Sequence, residues 1–61
     1  MTRTVTFTDN NTKISIDICI MSDDFWTMSN GYKVHYCEDY QEICVYRDND
    51  HTYQTIHNEK I

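Results

Sequence analysis

Hydrophobic and polar residues alternate with period two from Thr4 to Ile20. Val5 and Phe7 fall on one side, and Thr4, Thr6 and Thr8 fall on the other. After Asn10-Asn11 the alternation resumes, with Ile14, Ile16, Ile18 and Ile20 on one side and Ser15, Asp17 and Cys19 opposite. Strict alternation of this length predicts half-buried β-strands. Asn tolerates positive φ, so Asn10-Asn11 suits a two-residue type I′ turn. That turn pairs Phe7 with Ile14 and Val5 with Ile16, and it pairs Thr4 with Asp17 on the polar face. A slip of one residue would place every isoleucine against a polar partner.

Met21 to Gly31 breaks the alternation. Ser22-Asp23-Asp24 resembles a helix start, with a capping Ser followed by acids suited to the positive end of the helix dipole. Phe25 and Met28 lie three apart, and Asn30-Gly31 suits a left-handed stop. The expectation is one to two helical turns, or a wide structured loop, either of which lays Phe25, Trp26 and Met28 across the sheet.

Tyr32 to Arg47 reads as a second hairpin. A turn centred on Asp39-Tyr40 pairs Tyr36 with Ile43, Val34 with Val45, Lys33 with Tyr46 and His35 with Cys44. The cluster Asp48-Asn49-Asp50 then predicts a turn before a fifth strand, Thr52 to His57. An Asn49-Asp50 loop pairs Ile43 with Ile56 and Tyr46 with Tyr53. Residues Asn58 to Ile61 are expected to fray. The predicted fold is one small domain spanning residues 1–61. It is mainly β: a five-stranded, largely antiparallel sheet of hairpins with one short helical segment between strands two and three.

Composition supports the strands. The chain has 61 residues, with no Leu, Ala or Pro and a single Gly, so most strong helix formers are missing. Residues with AT-rich codons (Phe, Tyr, Met, Ile, Asn, Lys) supply 25 of the 61, which suggests a bacteriophage or mobile-element reading frame. A chain this short gains little from its core, on the order of 3–5 kcal/mol. One apolar sheet face must also be covered. Both points lead to the expectation of association, either with a partner or face to face in a homodimer.

The formal net charge is −5. Direct nucleic-acid binding usually needs a basic face, so it is not expected. The charge favours a basic protein partner or none. No apolar run approaches a membrane span, and no signal peptide is evident at the start. Three cysteines fit a reducing compartment better than a secreted disulfide framework, so the cytoplasm, a host's if phage-encoded, is the expected location.

Candidate chemistry is sparse. His35, Cys37 and Cys44 share a side of the second hairpin, with His51 or His57 as a possible fourth zinc ligand, yet no C-x₂-C pair is present. His35 opposite Cys44 is a conceivable catalytic pair, but a single small sheet offers little cleft. No enzyme activity and no cofactor are therefore expected. Acids cluster at Asp23-Asp24 and at Glu38-Asp39 with Glu42, where carboxylates can imitate the phosphates of DNA. Trp and Tyr concentrate at binding hot spots. The expected interface is Asp23, Asp24, Trp26, Glu38, Asp39, Tyr40 and Glu42. The expected role is a small acidic modulator, an inhibitor of a basic nucleic-acid-binding host protein. The alternatives are a zinc-binding structural module and a structural homodimer.

Overall fold

The computed structural model describes residues 1–21, 23–49 and 52–61, the side chains of Asp48 and Asn49 excepted. Among the described residues six strands follow one another: β1 (Thr2–Asp9), β2 (Thr12–Cys19), β3 (Phe25–Ser29), β4 (Tyr32–Cys37), β5 (Glu42–Asn49) and β6 (Thr52–Lys60). They form two antiparallel layers. One is the β1-β2 hairpin; the other is a four-stranded sheet in the order β3-β4-β5-β6. The chain is thus mainly β, with six strands in two sheets rather than five in one.

The first hairpin has the register that its alternation predicts. Phe7 faces Ile14, Val5 faces Ile16 and Thr4 faces Asp17. Asn10 and Asn11 both take positive φ, 50° and 63°, as a type I′ turn requires. On the polar face the Thr4 hydroxyl donates to Asp17 Oδ1 at 2.7 Å, and the Thr6 and Ser15 hydroxyls share a bond of 3.0 Å. The β4-β5 hairpin also has its expected register, from Val34 against Val45 to His35 against Cys44.

The expected helical segment is a strand instead. Phe25–Ser29 is β3, paired with β4 so that Phe25 faces Tyr36 and Trp26 faces His35. Asn30 and Gly31, at φ 51° and 81°, form its hairpin turn rather than a helix stop. Asn-Gly is the preferred pair for a type I′ turn, and local helix cues are weak beside a full ladder of cross-strand bonds. Phe25 and Met28 consequently lie on opposite faces: Phe25 packs on the core, while Met28 is exposed. The proposed Ser22 cap lies outside the described residues.

The last strand departs from expectation in two ways. Ile43 pairs with Glu59 rather than Ile56, and Tyr46 pairs with Thr55 rather than Tyr53. The turn residue Asp50 lies outside the described residues, but the register places Asn49 against Thr52. A shift between Val45 and Tyr46 leaves Ile56 as the extra residue of a bulge, from which it packs against the core. The terminal residues are not frayed. β6 continues to Lys60, and the Ile61 N–H donates to the Gln41 carbonyl at 2.8 Å.

The core lies between the layers. Val5, Phe7, Ile16 and Ile18 of the hairpin meet Val34, Tyr36, Ile43 and Val45 of the sheet. Each layer therefore covers the apolar face of the other. Phe7 joins them further, meeting the Tyr32 ring edge-on at 5.0 Å and stacking on His57 at 5.9 Å. Polar ties from β1 to β6, β5 and β4 close the sandwich. Arg3 pairs with Glu59 at 2.7 Å, Asp9 pairs with Arg47, and the Tyr32 hydroxyl donates to Asp9 Oδ2 at 2.7 Å. The apolar sheet face that suggested a face-to-face dimer is covered within the chain.

Candidate functional site

The outer face of the four-stranded sheet is the notable surface. Alternation places Trp26 and Met28 of β3, Lys33 and His35 of β4, Tyr46 of β5 and Tyr53 of β6 on the side away from the core. Trp26 stacks on its cross-strand neighbour His35, with centroids 4.4 Å apart, and on Tyr46 at 5.8 Å. Tyr46 meets Tyr53 edge-on at 6.3 Å, a diagonal contact rather than the direct pairing expected. Lys33 threads between the rings: its Nζ lies 5.1 Å from the Trp26 centroid and donates to the Tyr53 hydroxyl at 2.9 Å. These contacts orient the rings without hiding them. Trp26, Met28 and Tyr53 remain 54%, 58% and 53% exposed. An aromatic surface of this kind is pre-ordered, so little conformational freedom remains to be lost on binding.

The acids gather at the end of the sandwich where β3 and β5 begin and β4 ends. Asp23 and Asp24 precede β3; Glu38, Asp39 and Tyr40 form the β4-β5 turn. The two connections are tied together, since the Glu38 N–H donates to Asp24 Oδ1 at 2.6 Å. Asp24 thus has a structural task besides its charge. Tyr40 is exposed, with Lys60 Nζ 6.0 Å from its centroid. Glu42 stands on the outer face beside Cys44 and Asn58. Asn58 Nδ2 donates to Glu42 Oε1 at 2.9 Å and the Cys44 thiol donates to it at 3.5 Å. Those two bonds hold the Glu42 carboxyl below its usual range, against a small opposing effect of desolvation. All seven expected interface residues therefore lie at this end or on the adjoining outer face.

The partners of Trp26 are His35, Tyr46 and Lys33, with Tyr53 joined through Tyr46 and Lys33, and none of these is expected from a helical Phe25–Met28 segment. One signal was present. Asn30-Gly31 read as a hairpin turn places Trp26 directly opposite His35 and Met28 opposite Lys33.

The cysteine and histidine set takes other partners. His35 is stacked under Trp26, and Cys44 is bonded to Glu42 and Asn58. Burial pushes the Cys44 thiol up, away from the thiolate that metal binding and nucleophilic attack require. Cys19, Cys37 and Cys44 are free thiols. Among the described residues no group of three or more His, Cys, Asp or Glu side chains is placed to hold a metal ion. His51, a suggested fourth ligand, lies outside the described residues.

Among the described residues no helix is long and apolar enough to cross a membrane. Compared with known proteins, the chain matches no family model, no curated protein and no solved structure.

Proposed function

We propose that this chain is a small acidic protein-binding modulator, and that it engages its partner through the outer face of β3 to β6. The observation that carries this reading is Trp26. The core closes without it, yet it stands half exposed among ordered rings. A large aromatic held rigidly at the surface is the usual anchor of a binding hot spot. Asp23, Asp24, Glu38, Asp39 and Glu42 surround one end of that surface and would steer a basic partner toward it. Tyr40 would extend the aromatic contact at the same end.

The partner class to test first is a basic nucleic-acid-binding protein of a host. The acids would stand in for phosphates, and the chain would act as an inhibitor encoded by a phage or mobile element. Retention from a host lysate on immobilised wild-type and Trp26→Ala chains tests the reading. A basic protein held by the wild type, lost with Trp26→Ala and released by moderate salt is expected. Equal retention by both folded chains would remove Trp26 from the role.

A further inference from the structure

The open edge of β2 carries an inference that does not depend on Trp26. The type I′ turn at Asn10-Asn11 makes Asp9 and Thr12 a reciprocally hydrogen-bonded pair. Alternation then aims the N–H and C=O groups of Thr12, Ile14, Ile16 and Ile18 at β1. The bond from the Ile20 N–H to the Met1 carbonyl, 2.7 Å, continues the same alternation. The backbone groups of Lys13, Ser15, Asp17 and Cys19 therefore point away from β1. Among the described residues β2 pairs with β1 alone. Beside its Asp17–Cys19 end lies a groove of about 250 Å³ whose other wall is β3, Phe25–Ser29, which lines it without pairing to β2.

We infer that this edge pairs antiparallel with the same edge of a second copy, about a twofold axis at Ser15. The argument is self-complementarity. Centred on Ser15, the register sets Lys13 of each copy opposite Asp17 of the other on the polar face. On the core face it sets Ile14 opposite Ile16. Centring on Asp17 instead would place the two Asp17 carboxylates together, which like charges across a sheet disfavour. Centring on Ile14 or Ile16 would leave Lys13 opposite Ser15 or Cys19. Only the Ser15 register satisfies both faces. It also covers Ile14, which is only half-buried at the sheet margin. The net charge of −5 on each copy opposes association. At physiological salt, however, screening acts over about 8 Å, so the contact pairs outweigh the distant repulsion.

Sedimentation equilibrium over a wide concentration range tests this. The wild type is expected to dimerise reversibly. Lys13→Asp alone and Asp17→Lys alone should each raise the dissociation constant about tenfold or more, since each creates two like-charge pairs across the dyad. The double exchange, Lys13→Asp with Asp17→Lys, should restore it to within a few-fold. Ser15→Pro removes an outward N–H at the dyad while leaving the backbone bonds to β1 intact, and should sediment as a monomer that circular dichroism shows to be folded. A monomer at every concentration, or a dimer indifferent to Ser15→Pro and to both single reversals, would overturn the inference. Persistence of the dimer in Trp26→Ala keeps this test separate from that of the binding surface.

Discussion

Trp26 and His35 face each other across β3 and β4 with their rings stacked, 4.4 Å between centroids and 23° between planes. The contact lies on the solvent side of the sheet, so it sets the orientation of Trp26 more than it stabilises the domain. A double-mutant cycle of Trp26→Ala and His35→Ala, read by urea denaturation, should give a coupling of about 0.5–1 kcal/mol. Each single variant should remain folded. A collapse of the fold in Trp26→Ala would place this side chain in the core.

Ile43 is fully buried between the layers. Ile43→Ala should cost about 2–5 kcal/mol, most or all of what a domain of this size possesses. Thermal denaturation should show a largely unfolded chain near room temperature. The same substitution at exposed Met28 should change stability by less than about 0.5 kcal/mol.

Gly31 takes φ +81° in the β3-β4 turn, and a Cβ there would meet no atom within 4 Å. Any cost of Gly31→Ala is therefore conformational, on the order of 1 kcal/mol. At Asn11, φ 63°, the residue already accepts the left-handed region without being a glycine. Asn11→Gly should be neutral or slightly stabilising, because the type I′ turn favours Asn-Gly. Chemical denaturation of the two variants checks both signs.

Glu59 links the acid stability of the protein to its closed side. Burial pushes its carboxyl up, but the hydrogen bonds from His57 and Arg3 outweigh this and leave it below the usual range. A depressed folded-state value means that the stabilisation is present above the ordinary range of Glu. It is lost as pH falls through the lowered value. Stability measured from neutral pH downward should fall more gently in Glu59→Gln than in the wild type. Parallel acid limbs would exclude Glu59 from this role.

Much of the fold was legible because period-two alternation is a property of the chain itself. Val5, Phe7, Ile14 and Ile16 found their partners from pattern alone, as did Val34, Tyr36, Ile43 and Val45. Two places resisted. At Phe25–Ser29 the strand is short, and the acids before it imitate a helix start; only the Asn30-Gly31 turn signals a strand. At Ile56 the bulge changes the parity of β6, and no local residue announces a bulge. The division into two layers was also hidden, because apolar faces indicate a need for cover without saying which segment supplies it. Of the site, the acids and Trp26 were legible as residue types. Their assembly with His35, Tyr46 and Tyr53 depended on β3.

Among the described residues every hydrogen-bonded strand pair joins neighbours in the chain: β1 with β2, β3 with β4, β4 with β5 and β5 with β6. A sandwich usually folds slowly because distant segments must find one another. Here each ladder closes through a short connection, and the single distant event is docking of the β1-β2 hairpin onto the finished meander. Folding should therefore be fast for a β protein, with its barrier at that docking step. The hairpin is in effect a detachable lid on the core.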